Sequence, residues 1–336
     1  MRVCAKIQAI MKPIIFSGIQ PTGNLHVGSY LGAVKNWIEL QNSGKYDCFF
    51  CIADYHSLTG NMTADERRER TMRIAAELLA LGIDSQKSTL FIQSHVPEHT
   101  ELSWIFNTIT PVAELERMTQ FKDKSARQEA NINTGLFTYP VLQVADVLLY
   151  KGTLVPVGQD QVQHVELMRD IARWFNQRYG EYFPEAKPLL TEIPKVMSLL
   201  DPEKKMSKSL GADHVIELAD SEEEILRKLK RAVTATEGGG QAPGAENLLL
   251  LLRHFGPPAL FESFFRAEKN GSIRYGDLKA ALAKTIAGTF VGFREKRDML
   301  LAHPTKIEKF VARGAKRAGA VAKKTMSDVR KLVGIR

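Results

Sequence analysis

Residues 14 to 37, IIFSGIQPTGNLHVGSYLGAVKNW, change character twice in two dozen positions, and that double change limits the folds open to the chain. Ile14, Ile15 and Phe16 form a short apolar run that reads as a buried strand. Ser17 to Gly28 then hold three glycines, a proline and small polar residues, which continue neither a strand nor a helix. Leu31, Val34, Ile38 and Leu40 follow at helical spacing, with Lys35 and Glu39 on the other side. A strand, a small-residue loop and a helix start make an anion site, because a helix N-terminus offers unpaired N–H groups and about half a positive charge. Gly18, Gly23 and Gly28 carry no Cβ, which opens the turn to close approach. The spacing fits neither GxGxxG nor GxxxxGK[ST], so the dinucleotide and P-loop readings fall away.

The pattern beyond this turn alternates. YDCFFCIAD (46 to 54) and TLFIQS (89 to 94) read as strands, and so do TLVPV (153 to 157) and KVMSLL (195 to 200). Between them, Thr63-Ala64-Asp65-Glu66 has the form of a capping box and opens a helix that runs to Gly82. ELSWIFNTI and the stretch from Asp160 to about Tyr179 supply further helices. Such alternation predicts an α/β fold, a Rossmann-like doubly wound parallel sheet, with ligands outside the carboxyl ends of the strands. From about 210 the pattern is helical, interrupted by TEGGGQAPGAEN (236 to 247), which reads as a loop. The expected division is a leader at 1–10, a catalytic domain at 11–209 with a helical insertion near 110–135, and a helical domain at 210–336.

Composition excludes several classes. At 336 residues, 44% hydrophobic and 25% charged, the chain is an ordinary globular one, with no run of about 18 apolar residues to span a membrane. MRVCAKIQAI lacks the long apolar core of a secretory signal. Three cysteines argue against a disulfide framework and for a reducing, cytoplasmic setting. Cys48 and Cys51 form a CxxC inside CFFCI, but a second pair of ligands is missing, so they read as strand core. His95 and His99 have a metal-like spacing, yet Pro97 lies between them and no carboxylate partner stands out, so no metal is assigned. The net charge is +8, and residues 301–336 alone hold ten basic against two acidic side chains, a surplus equal to that of the whole chain. A solvated helix face and an RNA contact both remain open for this tail.

On the helix after Phe137, Tyr139, Gln143 and Asp146 lie at i, i+4 and i+7, one polar stripe among Val141, Leu142, Val144, Val147, Leu148 and Leu149. Buried polar groups need partners, so the stripe faces either a ligand or an internal hydrogen-bond network.

His26-Val27-Gly28-Ser29 is similar to the HIGH signature of class I aminoacyl-tRNA synthetases, and Lys205-Met206-Ser207-Lys208-Ser209 matches their KMSKS motif. FSGIQPTG (16 to 23), ELERMTQFKDKSA (114 to 126), YPVLQVADVLLY (139 to 150) and VPVGQDQVQHVEL (155 to 167) extend the resemblance over nearly the whole chain, and it is to the bacterial-type tryptophanyl-tRNA synthetases. The resemblance implies an enzyme that makes tryptophanyl-adenylate from L-tryptophan and ATP and passes the tryptophanyl group to the 3′ end of tRNA(Trp). It implies that Gln20, Pro21, Thr22, His26, Gly28 and Ser29 line the ATP site with Gly158, Gln159, Asp160, Val196, Met206, Ser207 and Ser209. Asp160 would hold ribose hydroxyls, although an N-cap role serves it equally. Lys205, Lys208 and Lys124, with Gln20, would act on the phosphates, and Mg²⁺ would ride on ATP with no tightly bound protein metal. Asp146 would accept the indole N–H, Tyr139 and Gln161 would hold the α-amino group, and Gln143 and Phe16 would complete the tryptophan pocket. Ser29 stands where HIGH has its second histidine, so that imidazole's role does not carry over. His56 falls near the site without a defined role. The helical part would meet the anticodon end of the tRNA, and the family forms homodimers. A tyrosyl enzyme, a small HxGH nucleotidyltransferase and a silent RNA-binding relative are the competing readings. The first is opposed by Asp146, the second by the KMSKS stretch, and the third by the intact Lys205 and Lys208.

Overall fold

The computed structural model describes residues 12–118, 133–158, 162–190, 195–234 and 243–335. The leader at 1–10 lies outside the described residues, as does most of the insertion and of the glycine-rich stretch.

Five parallel strands build the sheet in the order β3-β2-β1-β4-β5. They are β1 (Ile14–Ile19), β2 (Asp47–Ile52), β3 (Ser88–Ile92), β4 (Leu154–Val157) and β5 (Lys187–Leu190). The order reverses between β1 and β4, and a crevice opens at such a switch point beyond the strand ends. After the loop that follows β1, Val27–Ser29 starts a helix that passes through a π-helical stretch, Tyr30–Val34, into α1 (Lys35–Ser43). Two apolar clusters lie on the two faces of the sheet. Trp37 stacks on Phe50 at 4.6 Å in one, and Phe49 on Tyr150 at 4.8 Å in the other. Cys48 belongs to the first and Cys51 to the second, because side chains an odd number of residues apart leave a strand on opposite faces. The CxxC is strand core, with both thiols buried and pushed up in pKa by burial.

The helix α2 (Ala64–Leu81) starts at the expected box, with Thr63 accepting from the Glu66 amide and Glu66 accepting from the Thr63 amide. It ends at Gly82, whose φ of 109° suits a residue without Cβ. Next come α3 (Glu98–Asn107), α4 (Thr134–Leu148) and α5 (Val162–Tyr179).

KVMSLL does not join the sheet. Met197 pairs with Lys205 in an isolated antiparallel bridge, since a short apolar run fixes burial but not its partner. The fifth strand is Lys187–Leu190, largely exposed and carrying Pro188, which an edge strand tolerates and which hides it from pattern reading.

The helices of the second half are α6 (Glu222–Arg231), α7 (Pro243–Phe255), α8 (Pro258–Lys269), α9 (Tyr275–Thr289), α10 (Val291–Leu301) and α11 (Pro304–Val333). The long apolar-periodic stretch from 275 is broken at Phe290 into α9 and α10. The basic tail is α11, thirty residues whose stripe of Ile307, Val311, Gly314, Ala318, Ala322, Met326 and Val329 is buried. It covers the edge strand β3, where pairing groups would otherwise be open. Gly314 sits so close that a Cβ would fall 1.7 Å from the Leu90 carbonyl oxygen. Lys306, Lys309, Arg313, Lys316, Lys323 and Lys324 lie on the exposed side. Arg330 binds Glu101 through two hydrogen bonds, and Arg317 donates to the Ser85 carbonyl.

Candidate active site

Beyond β1 the chain makes the glycine turn and enters the helix at His26. His26 Nδ1 accepts from the Ser29 amide at 3.3 Å, and Ser29 Oγ accepts from the His26 amide at 2.9 Å. Ser29 therefore closes a capping box with His26. Burial, reinforced by the charge of Lys208, lowers the His26 pKa to about 4 against the opposing pull of Glu217. The imidazole is neutral at neutral pH, and with Nδ1 accepting, its proton belongs on Nε2.

The Lys205–Ser209 segment lies on this turn. Met206 donates its amide to the Val196 carbonyl at 3.0 Å, and Ser198 donates to the Lys204 carbonyl at 2.8 Å, so the 196–198 stretch holds the segment from below. A Cβ on Gly28 would lie 3.1 Å from the His26 ring and 3.4 Å from Met206 Cβ, and one on Gly23 would lie 2.9 Å from Lys208 Cδ. At Gly23, where φ is 154°, a side chain would press on Lys208, whereas at Gly28 it would meet Met206 at ordinary contact distance and crowd only the His26 ring of its own motif. Gly18 is different: it is part of β1, where a Cβ would meet only ordinary contacts.

Two cavities result, and Gln20 lines both. The larger, about 990 Å³, is walled by the turn (Thr22 to His26), Ser29, Ser207, Lys208 and Ser209, and on α2 by Arg70 and Arg73 with Glu66 and Glu69. The smaller, about 400 Å³, is walled by Phe16, His56, Tyr139, Gln143, Asp146, Val157, Gly158 and Lys205. The polar stripe of α4 thus faces one cavity with all three members. Pro21, Gly28, Val196 and Met206 line neither and support the walls. Lys124, Gln159, Asp160 and Gln161 lie outside the described residues.

Asp146 is buried beneath the smaller cavity, with 3% of its surface exposed. Oδ1 accepts from Gln93 Nε2 at 2.6 Å and from His99 Nδ1 at 2.6 Å, and Oδ2 accepts from His56 Nε2 at 2.7 Å. Burial alone would raise its pKa, but the two imidazoles outweigh that and hold the carboxyl well below the usual range. An ionised carboxylate only accepts, so His99 donates from Nδ1, and its Nε2 lies 2.8 Å from the Tyr150 hydroxyl. Gln93 is fixed in turn by accepting from the Tyr55 amide at 3.1 Å. Among the described residues Oδ2 has one partner, which leaves it a lone pair for a further donor. Of the alternatives for the stripe, the internal network is present at Asp146, and the stripe also borders a cavity. Burial raises the pKa of Tyr139 to about 12, and its hydroxyl lies 3.4 Å from His164 Nε2.

Sequence reading missed Gln93, His99, Glu77 and Glu217. His56 gains a definite place as the Oδ2 partner of Asp146. Glu77, buried on α2, accepts the Leu25 amide at 2.7 Å and Arg297 Nε at 3.1 Å, pinning the turn to α10. The spacing of His99 from His95 was readable, and no metal was assigned from it, but the carboxylate partner that did not stand out in the sequence is Asp146, 47 positions away. Among the described residues no group of three or more His, Cys, Asp or Glu side chains is arranged to hold a metal ion. No described helix is long and apolar enough to cross a membrane.

The family model for class I tRNA synthetases (W and Y) matches residues 10–298. The tryptophan–tRNA ligase 2 of Streptomyces avermitilis is 45% identical over 335 residues, covering 96% of this chain and 97% of the relative. The tryptophan–tRNA ligase of Wolinella succinogenes is 42% identical, covering 97% and 100%. Among solved structures, the Campylobacter jejuni tryptophanyl-tRNA synthetase complexed with ADP and tryptophan superposes with a TM-score of 0.84 at 33% identity, covering 96% of this chain and all of that one. The chain belongs to the class I tRNA synthetase family of W and Y. Its near-full-length relatives carry the tryptophan name.

Proposed function

We propose that this chain is a tryptophan–tRNA ligase: it activates L-tryptophan with ATP to tryptophanyl-adenylate and transfers the tryptophanyl group to the 3′-terminal ribose of tRNA(Trp). The observation that carries the reading is the contact of Lys208 and Met206 with the Gly23 and Gly28 turn, next to a cavity floored by Asp146. Relatives at 45% and 42% identity carry the same activity in their names.

In activation, a tryptophan carboxylate oxygen attacks the α-phosphorus of ATP, and the bond to the bridging oxygen breaks to release pyrophosphate. Both reactants are anionic, so positioning and charge neutralisation do most of the work. Tryptophan lies in the smaller cavity, its indole N–H donated to Asp146 Oδ2, with Tyr139, Gln143, Gln161 and Phe16 around it. A site built to satisfy that N–H rejects phenylalanine by roughly 10⁴ to 10⁵. The triphosphate spans Gln20 into the larger cavity, carrying Mg²⁺ on its oxygens. Gly158, Gln159 and Asp160 hold the ribose, and Val196, whose buried side chain lines neither cavity, meets the adenine only through its backbone. Lys205, Lys208 and Lys124 take up the charge that grows on the leaving group, while neutral His26 donates from Nε2.

Residues 210–336 form the tRNA-binding part, with the exposed lysines of α11 facing the phosphate backbone. Trp104 and Leu58, which are 71% and 56% exposed and line one surface cavity, supply an apolar patch for a homodimer. We take the compartment to be the cytoplasm, where charged tRNA is used. The test is tryptophan-dependent exchange of pyrophosphate into ATP, comparing wild type with Asp146→Ala. The variant should lose most tryptophan use, and unchanged use would refute the indole role.

A further inference from the structure

Lys208 is not free. Its Nζ lies 2.9 Å from Glu217 Oε1, and both side chains are about three-quarters buried, at 24% and 23% exposure. Glu217 Oε2 accepts from Asn24 Nδ2 at 2.6 Å, and Asn24 Oδ1 accepts from Arg73 at 3.2 Å. A chain of hydrogen bonds thus runs from α2 across the glycine turn to the lysine of the KMSKS stretch. Its two halves differ in how firmly they are held. Glu217 pairs with His26 in an antiparallel bridge, flanked by Val27 N to Ile216 O and Leu218 N to Leu25 O, both at 2.9 Å. Its own amide donates to Asp220 Oδ2 at 2.8 Å, and Lys228 occupies that same oxygen at 2.6 Å. The Glu217 backbone is therefore part of the turn. Lys208 sits in a short 3₁₀ turn capped only by Ser207, at the end of a four-bond side chain. The anion is fixed and the cation is on a tether.

We propose that Glu217 is a positioning residue for the activation step, a fixed anion that holds the Lys208 ammonium over the Gly23 turn until the phosphates of ATP replace it. The proposal rests on the reading above that Lys208 serves the phosphates. Glu217 keeps the long lysine ordered and close, and it also competes with ATP for the same ammonium. A single carboxylate is a weaker rival than a triphosphate, so exchange takes place when ATP arrives. The competition weakens ground-state binding of ATP, in the same way that any pre-existing partner must be displaced. Glu217 does not touch the reacting atoms.

The test is a cycle of four proteins, wild type, Glu217→Gln, Lys208→Ala and the double variant, each titrated with ATP by calorimetry without tryptophan. Glutamine keeps an oxygen for Asn24 and loses the charge that binds Lys208. Glu217→Gln should bind ATP about threefold to tenfold more tightly, the range of a partly exposed charged pair. Its kcat for pyrophosphate exchange should fall severalfold even as ATP binds more tightly, because the freed ammonium is no longer held over the Gly23 turn when charge grows on the leaving group. Lys208→Ala should bind ATP more weakly, and adding Glu217→Gln to it should change nothing further. If Glu217→Gln does not fold, Glu217→Asp draws the charge back by one methylene and should give a smaller tightening of the same sign. Unchanged or weaker ATP binding in a folded Glu217→Gln, as a merely structural residue would give, overturns the proposal. Equal tightening in the Lys208→Ala background also overturns it, since the effect would then be diffuse charge. Loss of exchange in Lys208→Ala with an inert Glu217→Gln sinks this inference alone, whereas wild-type exchange and ATP binding in Lys208→Ala would sink the assignment of Lys208 itself.

Discussion

The two cavities that meet at Gln20 are made by opposite means. The larger is walled by backbone turns, a helix N-terminus and long cationic side chains that remain partly exposed, and its groups are held by one or two contacts each. The smaller rests on Asp146, which is buried and bound by three side chains from three different segments. A triphosphate varies in position as bonds break, and loosely tethered ammonium groups follow it. An indole N–H must be met at one point, and a carboxylate fixed from three sides does that. The difference predicts that substitutions on the phosphate side change rate but not stability, and that substitutions beneath the tryptophan side change both.

The largest effect sharpens the first half of that contrast. Lys208→Ala should lower kcat for pyrophosphate exchange by about 100-fold or more, the scale of one lost charge-stabilising group. Its unfolding free energy should move by no more than about 1 kcal/mol, since the Glu217 carboxylate it leaves keeps its Asn24 partner and some contact with water. A large drop in melting temperature would break the contrast. Asp146→Asn should change both, lowering tryptophan use and costing about 3–5 kcal/mol because His56, His99 and Gln93 lose a buried ionised acceptor. Denaturant unfolding reads the cost, and exchange measured on the folded fraction should still show weak tryptophan use. His99→Phe is the next smaller test. It should cost about 1–3 kcal/mol by leaving the Tyr150 hydroxyl and one Asp146 lone pair unpaired. It should raise KM for tryptophan severalfold with KM for ATP unchanged, and an equal rise in both would mean that the two cavities are not independently built.

These two regions also differed in how far the sequence revealed them. The phosphate side is local in sequence: a strand, a glycine turn and a helix start lie within 24 residues, and the KMSKS lysines are one further unbroken string. The α2 capping box and Gly82 stop were readable for the same reason, since caps act over three or four residues. The network under Asp146 joins residues 56, 93, 99 and 146, and nothing in periodicity says which buried polar residue meets which. Glu77 hid in the same way, as one of several glutamates on an amphipathic helix, though it anchors the turn at Leu25. The strand at 187–190 was hidden because Lys187 and Pro188 leave only Leu189 and Leu190 as apolar signal, too short a run to read as a strand. Gly314 was hidden because its reason is a neighbouring carbonyl 224 positions away in the chain, not a turn.

The smallest effect tests whether the phosphate side is really indifferent to stability at every pH. His26 titrates near 6.5 when unfolded, but burial and the nearby Lys208 charge lower it to about 4 in the fold. Between those values the unfolded chain binds a proton that the folded chain does not, so stability rises with pH through that window and is lost as pH falls below about 6.5. The expected loss is about 1 kcal/mol at pH 5.5 relative to pH 7, read by denaturant unfolding at the two pH values. His26→Asn keeps a side-chain acceptor for the helix start and has no proton to gain, so its stability should lack this part of the pH dependence. The same lowered pKa keeps His26 neutral from pH 5.5 upward, and exchange measured over that range should show no inflection that His26→Asn removes. An inflection near 6.5 that vanishes in the variant would mean that the imidazole charges within the working range, and that the cation count around the triphosphate includes His26 as well as the lysines.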